Sequence, residues 1–296
     1  MHGGSEPRLA VLIRPDVPAD LAEQVARALA EDVGAGDLTA ALVPAGQRAT
    51  ARVITRVDAI VCGEPWVTET FRQLDPGIAI RWHIGEGERA AAGATLCELG
   101  GPARALLTGE RTALNFLQTL SATATAARRY ADAVAGTKAR ILDTRKTLPG
   151  LRLAQKYAVR VGGADNHRIG LFDAILVKEN HIVAAGGITA TIRAARATSP
   201  GALLEVEVET RAQAEEALTG GADRLLLDNF PLERLVAAVA LRDRLAPAIG
   251  LEASGGITLA NVRAIAETGV DFISIGSLTK DVAATDLSMR CEFAAR

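Results

Sequence analysis

One stretch of the chain concentrates side chains that bind anions. The sequence DTRKTLPGLRLAQKYAVRVGGADNHR, from Asp143 to Arg168, contains only two acidic residues. Its basic side chains are Arg145, Lys146, Arg152, Lys156, Arg160, His167 and Arg168. The whole chain is slightly acidic, with a formal net charge of −2. A nucleic-acid groove, a solvated helix face and a pocket for a small polyanion would each explain this local excess of positive charge.

The composition of the chain weighs against nucleic acid. The sequence pI near 6.1 gives no general basic surface, so binding would need a local patch. Aromatic residues make up only 3% of the chain, which disfavours stacking platforms for single-stranded nucleic acid. With 49% hydrophobic and 23% charged residues, the 296-residue chain is typical of a globular protein with a large core.

Part of the basic stretch predicts a solvated helix face. The segment LPGLRLAQKYAVRVGG has the composition of a helix, and Arg152, Lys156 and Arg160 repeat in it at four-residue spacing. Residues four apart lie on the same side of a helix. The sequence therefore predicts one exposed basic face, and solvation is the favoured explanation for Arg152 and Arg160.

The remaining basic residues predict a pocket. Arg145 and Lys146 directly follow the apolar run ILDT, whereas His167 and Arg168 come just after a Gly-Gly break. If ILDT is a barrel strand, these four side chains can converge at the mouth of the barrel. Forked arginine contacts and lysine point charges suit a ligand with several carboxylates or phosphates. The small-polyanion pocket is therefore the favoured explanation.

Acidic residues also occupy predicted strands. The run LLEVEVET places Glu205, Glu207 and Glu209 on one face, and Glu207 at its centre is the best functional candidate. An exposed strand end with solvated glutamates is the alternative. Lys178 ends the run AILVK, where it could form a Schiff base, bind phosphate or simply extend into water. Asp228, in LLLDNF, is a candidate ligand and equally a candidate helix N-cap.

Two glycine-containing loops indicate a phosphate site. EASGGIT and IGSLTK end the last two apolar runs, and such loops in α/β barrels present backbone N–H groups to phosphates. A single tight turn would explain either loop alone, whereas two adjacent loops favour a phosphomonoester. Arg111, three residues after Thr108, is predicted in the first turn of a long helix, where the helix dipole disfavours a cation. A nearby anion or plain solvation would compensate.

The elements that position these residues fall into two sets. From Ala139 onward, six apolar runs recur at the spacing of βα units: RILDT, AILVK, LLEVEVE, RLLLDN, GLEASGG and FISIGS. GADRLLLD at Gly221 and GVDFISIG at Gly269 are similar, which supports internal repetition. The pattern favours a closed or nearly closed parallel α/β barrel over an open sheet, with the functional residues at the C-terminal ends of its strands.

The first hundred residues predict a different structure. LAEQVARALAEDV predicts a helix, and ATARVITRVDAIVCG, IAIRWHI and ATLCELGG predict strands of a small α+β layer domain. GERTALNFLQTLSATATAARRYADAVAG predicts a long helix that leads into the barrel. No signal peptide is predicted in MHGGSEPRLAVLIRPDVP, and no apolar run is long enough for a membrane span. The separated Cys62, Cys97 and Cys291 predict reduced thiols in a cytoplasmic protein.

The motifs together resemble one family. ILDTRKTLPGLRLAQKYAVRVGGADNHRIGLFDAILVKENHI is similar to the most distinctive region of quinolinate phosphoribosyltransferases. EDVGAGDLTA, GERTALNFLQTLSATAT, EVEVET, LLLDNF, EASGGIT and GVDFISIGSLT extend the resemblance in the expected order. It covers the chain from about Leu21 to Lys280, and the residues before Leu9 have no counterpart.

The resemblance implies a fold and an activity. It implies an incomplete α/β (TIM-like) barrel, residues 121–280, with an N-terminal α/β sandwich domain, residues 1–120, which the C-terminal segment 281–296 joins. The implied reaction combines quinolinate with magnesium phosphoribosyl pyrophosphate (PRPP), and releases pyrophosphate and carbon dioxide to give nicotinate mononucleotide for NAD biosynthesis. The implied assembly is a homodimer, or a hexamer built from dimers, with shared active sites.

The resemblance also implies roles for residues. Arg145, Lys146, His167 and Arg168 match the quinolinate pocket, and Arg111 matches an arginine inserted from the partner subunit. Thr144 and Lys178 match further substrate contacts, with Lys146 and Lys178 also catalytic. Glu207 and Asp228 match catalytic carboxylates that face the ribose hydroxyls and magnesium, which is bound through PRPP rather than by dedicated protein ligands. The 5′-phosphate loops correspond to Ser254, Gly255, Gly256, Gly276 and Ser277.

Three other functions are alternatives to this one. The first is a related transferase that acts on a different heterocyclic carboxylate without decarboxylation. The second is an aldolase that forms a Schiff base at Lys178. The third is a nonenzymatic sensor of a phosphorylated metabolite, which the convergence of acids and cations on strand ends disfavours.

Overall fold

The computed structural model describes residues 15–294. Residues before Pro15 therefore lie outside the described part, including most of the segment in which no signal peptide is predicted. Two sets of elements follow the two sequence patterns. Among the described residues, no helix combines the length and the apolar character needed to cross a membrane.

The N-terminal set is a mixed layer of helices and antiparallel strands. Its elements are α1 (Leu21–Val33), β1 (Arg48–Thr55), β2 (Ala59–Ile60), α2 (Glu64–Leu74), β3 (Ala79–Trp82), β4 (Arg89–Ala90), β5 (Thr95–Pro102) and α3 (Ala103–Ala133). In β1, exposed residues alternate with the buried Ala49, Ala51 and Val53, the pattern of a strand with one face on a core. That core also contains Phe71 of α2 and Leu106 of α3, so the sheet packs against both helices.

The long helix α3 begins six residues earlier than the sequence predicts. It starts at Ala103, directly after Pro102 at the end of β5. Gly109 was expected at the helix start, but it lies inside the helix against α2. A Cβ added there would come within 2.6 Å of Phe71, so glycine is what allows the two helices to approach. Arg111 is consequently exposed in the third turn, and the argument that the helix dipole disfavours it there was wrong.

The second set forms one six-stranded sheet of parallel neighbours. Its strands are β6 (Arg140–Leu142), β7 (Ala174–Val177), β8 (Leu203–Val208), β9 (Arg224–Asp228), β10 (Gly250–Ser254) and β11 (Phe272–Ser274). Their order is β6-β11-β10-β9-β8-β7. The accompanying helices are α4 (Arg152–Val161), α5 (Glu179–Ala185), α6 (Ile188–Thr198), α7 (Arg211–Gly220), α8 (Leu232–Leu245), α9 (Val262–Glu267) and α10 (Ser277–Lys280). All six predicted strands are present, and both faces bury apolar side chains.

The barrel is incomplete at one position. In the described chain β6 and β7 are the two edges of the sheet, and they do not pair with each other. Asp165 makes a single parallel bridge to Leu142 on the β6 side, where a further strand would close the barrel. The last strand, β12 (Leu287–Phe293), leaves the barrel and pairs with β1 along its whole length. The chain therefore returns to the N-terminal sheet.

The predicted basic face of α4 is only partly exposed. Arg160 is exposed, as expected, but Lys156 is 2% exposed and Arg152 is half-buried. Arg152 donates to Thr147 Oγ1 at 3.1 Å and reaches the carbonyls of Arg145 and Ile169. The prediction of a solvated side chain was wrong for Arg152, because this arginine ties together the loops on either side of α4.

Candidate active site

A cavity of about 270 Å³ opens at the C-terminal ends of the parallel strands. Its lining comes from all six strands or the loops that follow them, as expected for a barrel active site. It is lined by Thr144, Arg145, Lys146, His167, Arg168, Leu176, Lys178, Glu207, Leu226, Asp228, Glu252, Ser254 and Ser274. Nine of the predicted site residues are among them: Thr144, Arg145, Lys146, His167, Arg168, Lys178, Glu207, Asp228 and Ser254.

The cations after β6 are held by short-range contacts. The Thr144 hydroxyl accepts from the Lys146 backbone N–H at 3.1 Å, and Thr279 donates to the Lys146 carbonyl at 2.9 Å. Gly276 packs against the Lys146 side chain, and a Cβ there would lie 3.2 Å from its Cδ. These contacts fix the turn after β6, so that Arg145 and Lys146 face the cavity.

Arg145 and Arg168 create an electrostatic demand for an anion. Burial, and then the positive charge of Arg145, lower the pKa of Arg168. The Nε of Arg145 is buried and has no partner among the described residues, whereas Arg168 donates to the Ala174 carbonyl at 3.2 Å. A ligand with carboxylates would relieve the repulsion between the two guanidinium groups and supply the missing acceptor.

The acidic side of the cavity is formed by β8 and β9. Lys178 Nζ lies 2.7 Å from Glu207 Oε2, and the Glu207 side chain is only 14% exposed. Asp228, at the end of β9, accepts from the Asn229 amide at 2.7 Å. The Lys178 amine is already in contact with the Glu207 carboxylate, so a carbonyl substrate would have to displace this partner to reach the amine. This pair therefore disfavours the Schiff-base alternative.

The loop after β10 has a backbone conformation that lets neighbouring groups come close to its main chain. Gly255 and Gly256 have φ angles of +92° and +60°, values that side-chain-bearing residues rarely adopt. A Cβ on Gly255 would lie 2.2 Å from the side-chain oxygen of Asn229, which itself has a positive φ of 54°. The Asn229 backbone N–H donates to the Ser254 carbonyl at 2.9 Å. The ends of β9 and β10 are thereby joined beside the cavity.

Five predicted site residues are not in the cavity lining of this single chain. Gly255 and Gly256 lie in the loop after β10, Gly276 lies in the loop after β11, and Ser277 is the first residue of α10. Arg111 is on the exposed side of α3 and belongs to no part of the described cavity. Its placement leaves it available for contact with another subunit, which is where the family resemblance assigns it.

Several lining or supporting residues escaped the sequence analysis. Leu176, Leu226 and Ser274 are strand residues with no distinctive motif. Glu252 lies within GLEASGG, two residues before Ser254, and its position on the cavity-facing side of β10 could have been found from strand alternation. Below the cavity, Lys156 contacts Asp143 at 2.5 Å, although neither residue was assigned a role.

Comparison with known proteins gives one family. Residues 37–121 match the model of the quinolinate phosphoribosyl transferase N-terminal domain, and residues 123–290 match that of its C-terminal domain. A nicotinate-nucleotide pyrophosphorylase [carboxylating] from Mycobacterium leprae is 42% identical over 274 residues, 90% of this chain and 95% of that protein. A probable nicotinate-nucleotide pyrophosphorylase from Synechocystis sp. is 42% identical over 263 residues, 88% of this chain and 89% of that protein.

Solved structures give the same result. A nicotinate-nucleotide pyrophosphorylase from Francisella tularensis superposes with a TM-score of 0.90 at 45% sequence identity. The match covers 94% of this chain and 98% of that one. The likeness therefore includes both the N-terminal layers and the incomplete barrel.

Proposed function

The chain belongs to the quinolinate phosphoribosyltransferase family, and we propose that its barrel cavity is where quinolinate and PRPP react. The enzyme is a decarboxylating pentosyltransferase of NAD biosynthesis, and its products are nicotinate mononucleotide, pyrophosphate and carbon dioxide. One observation carries the assignment of the reaction to this cavity. Arg145, Lys146 and Arg168 converge on the same 270 Å³ space as the carboxylates Glu207 and Asp228.

The two sides of the cavity suit the two substrates. Quinolinate carries two carboxylates, which fit Arg145, Lys146 and Arg168, with Thr144 and His167 beside them. The sugar of PRPP fits the opposite side, where Lys178, Glu207 and Asp228 lie. Its 5′-phosphate fits the loops of Ser254, Gly255, Gly256, Gly276 and Ser277, where glycine permits close backbone contact.

The charge on Glu207 supports the transfer step. When pyrophosphate leaves, positive charge develops on the sugar carbon, and a carboxylate fixed close to it stabilises the transition state. Lys178 holds Glu207 in place from the adjoining strand, with Nζ 2.7 Å from Oε2. Asp228, which lines the same side of the cavity, accepts hydrogen bonds from the sugar hydroxyls in this proposal.

Magnesium is the proposed cofactor and enters with PRPP. Carboxylate and phosphate oxygens are the donors that this ion accepts, so Glu207 and Asp228 fit a magnesium–PRPP complex close by. When bound, the ion neutralises negative charge on the pyrophosphate. Because magnesium retains several waters and binds through substrate oxygens, no dedicated set of protein ligands is required.

The pocket also supports loss of the 2-carboxylate. Once the ring nitrogen has been alkylated, its positive charge stabilises the electron pair that stays on the adjacent ring carbon when the bond to the carboxylate breaks. Removing that carboxylate from bulk water favours its departure as carbon dioxide. Arg145 and Arg168 hold the substrate while the ring carbon takes up a proton in place of the carboxylate.

The assembly and location complete the proposal. Each site takes Arg111 from a second subunit, so that the functional unit is a homodimer or a hexamer built from dimers. The three cysteines Cys62, Cys97 and Cys291 are unpaired, which suits a reducing compartment. We place the enzyme in the cytoplasm.

The test uses quinolinate labelled at its 2-carboxylate. Incubation with PRPP and magnesium should release labelled carbon dioxide and form nicotinate mononucleotide in equal amounts. Nicotinate in place of quinolinate should give no nucleotide. If nucleotide forms without release of carbon dioxide, the enzyme is the non-decarboxylating relative, and if borohydride traps a carbonyl substrate on Lys178, it is the aldolase.

A further inference from the structure

The main chain of His167 is held by a buried ion pair. Its N–H donates to Asp143 Oδ1 at 2.8 Å, and its carbonyl accepts from Lys156 Nζ at 2.9 Å. Lys156 and Asp143 contact each other at 2.5 Å, with side chains 2% and 0% exposed. The Asn166 amide donates to the other Asp143 oxygen at 2.7 Å. The main chain of His167, directly before Arg168, is therefore held by hydrogen bonds to buried side chains.

The ring of His167 faces the barrel interior. Its Nδ1 accepts the backbone N–H of Arg168 at 2.7 Å, which requires Nδ1 to be unprotonated. A neutral ring then carries its proton on Nε2. That atom is buried, 2.8 Å from Glu205 Oε2 and 3.6 Å from Glu252 Oε2. Nδ1 is therefore occupied by the main chain, whereas Nε2 faces the two carboxyl groups and has no well-directed hydrogen bond among the described residues.

The two carboxyl groups beneath the ring require a proton between them. Glu205 and Glu252 are 1% and 0% exposed, and an oxygen of each lies within 4.8 Å of the other and of His167 Nε2. Among the described residues, no well-directed donor reaches either Glu205 oxygen or Glu252 Oε1. Arg224, 3.3 Å from Glu252, supplies one positive charge for the two acids. One carboxylate and one carboxylic acid would match that charge and supply the missing donor.

The surrounding charges are consistent with this state. Burial, followed by the negative charge of Glu205, raises the pKa of Glu252 to about 8, and burial also raises the pKa of Glu205. Burial lowers the pKa of His167 and favours its neutral form. The charged or polar groups that face these three residues from neighbouring elements are Asp143, Lys156, Arg168, Glu207, Arg224 and Ser274.

We propose that His167 is a positioning residue rather than a ligand for quinolinate, and that Glu205 and Glu252, sharing one proton, hold its neutral ring so that Arg168 is aimed at the substrate. The proposal rests on the assignment of the cavity to quinolinate and revises the expectation that His167 binds this substrate. In this arrangement His167 lines the cavity without binding the substrate, and the Arg168 guanidinium supplies the charge that binds it.

A bound metal ion is the alternative occupant of this cluster. One imidazole and two carboxylates form a common ligand set, and their atoms are close enough together to bind an ion. The tautomer argues against it, because an Nε2 that carries a proton has no lone pair for a metal. Arg224 at 3.3 Å from Glu252 would also repel a cation. A proton satisfies the same oxygens without that repulsion.

Nitrogen NMR of histidine-labelled protein tests the tautomer directly. The chain has four histidines, and the His167→Gln variant identifies the signal of interest. The expected result is a neutral ring protonated at Nε2 throughout pH 6–8, both in the free enzyme and with saturating quinolinate. An imidazolium in the quinolinate complex would overturn the proposal. If quinolinate perturbs no signal of any kind, it is the assigned function that has failed.

Two substitutions at Glu205 test the positioning role. Glu205→Met removes the acceptor and should raise KM for quinolinate about tenfold, the effect of losing one oriented charged contact, while KM for PRPP stays within about threefold. Glu205→Gln keeps an acceptor, and the negative charge can pass to Glu252, so it should recover most of the lost affinity. Equal defects in the two variants, or parallel losses for both substrates, would contradict the proposal.

The shared proton has its own signature. In the parent enzyme KM for quinolinate should rise above about pH 8, where Glu252 loses its proton. Glu252→Gln should remove this alkaline rise, because its amide remains a hydrogen-bond donor at every pH. A rise that persists in Glu252→Gln contradicts the shared proton. Elemental analysis of the purified enzyme supplies a second check, because a stoichiometric metal that is lost in Glu252→Gln would establish the metal site instead.

Discussion

At the scale of single residues, the acidic and basic sides of the site differ in whether their charges are paired within the chain. Lys178 and Glu207 neutralise each other at 2.7 Å across the ends of β7 and β8. Arg145 and Arg168 both line the cavity, and burial, followed by the positive charge of Arg145, lowers the pKa of Arg168. The acidic side is thus preorganised before substrate binds, whereas the basic side is completed by the carboxylates of quinolinate.

The charge of Glu207 is expected to act on the transition state more than on binding. Glu207→Gln retains size and hydrogen bonding but removes the negative charge, so kcat should fall far more than either KM changes. Steady-state kinetics with both substrates would measure this. Glu209→Gln, directly after the same strand but exposed and outside the cavity, is the matched control. A kcat within about threefold of the parent, under ~0.7 kcal/mol, would make Glu207 a structural residue.

Arg168 is expected to act on quinolinate rather than on the sugar donor. Arg168→Ala should weaken quinolinate binding by about 1.5–3 kcal/mol, the scale of a hydrogen bond to a charged group. Calorimetric titration with each substrate would show which subsite is affected. Arg160→Ala, an exposed arginine on α4, controls for a general loss of positive charge. Loss of PRPP affinity with quinolinate affinity intact would mean that the two subsites are reversed.

At the scale of elements, strand ends are what place these side chains, and they were the most predictable feature. The apolar runs were short, bounded and regularly spaced, so all six barrel strands followed from the sequence. The start of α3 and the exposure of Lys156 could not be predicted in the same way. From the local sequence, Gly109 is expected to interrupt a helix, but it lies inside α3 because it packs against Phe71. Lys156 is likewise expected to be solvated, but it is buried because it pairs with Asp143.

The loop after β10 is expected to bind the 5′-phosphate of PRPP, and a substitution at Gly255 tests this. Gly255→Ala would place a Cβ 2.2 Å from the Asn229 side chain and in a backbone conformation with φ of +92°. The loop must therefore shift, and KM for PRPP should rise at least about tenfold, since strain of this kind costs ~1–3 kcal/mol. Kinetics with varied PRPP would measure the change. Gly201→Ala, where the added Cβ meets nothing within 4 Å, is the control, and equal behaviour of the two variants would exclude Gly255 from the site.

At the scale of the whole molecule, α3 and β12 connect the N-terminal set of elements to the barrel. α3 packs in the N-terminal core and also contributes Ala127 and Tyr130 to the barrel core. β12 pairs with β1, so the C-terminal segment joins the same N-terminal sheet. Arg111 is on α3, exposed and away from its own chain's cavity. A rigid helix that links both layers is a suitable carrier for a side chain that has to enter a neighbouring subunit.

The shared site predicts complementation between two inactive variants. Arg111→Ala should leave the fold intact, because exposed substitutions usually change stability by less than about 0.5 kcal/mol, but it should remove most activity. Lys178→Ala should also be inactive, because it removes the partner of Glu207. In randomly exchanged dimers half of the molecules are mixed, and each mixed molecule has one site with both residues present. By the two-fold symmetry of an isologous dimer, activity should return to roughly a quarter of the parent value.

Subunit exchange must be established before that mixture is interpreted. Native mass spectrometry of differently tagged variants would show when mixed dimers have formed, and activity should rise over the same period. A mixture of Arg111→Ala with Glu207→Gln should recover activity as well, because the two lesions again lie on opposite sides of a shared site. A mixture of Lys178→Ala with Glu207→Gln should not, because both residues belong to the same chain's cavity. Exchanged Arg111→Ala and Lys178→Ala dimers that stay inactive would show that Arg111 does not act across the interface.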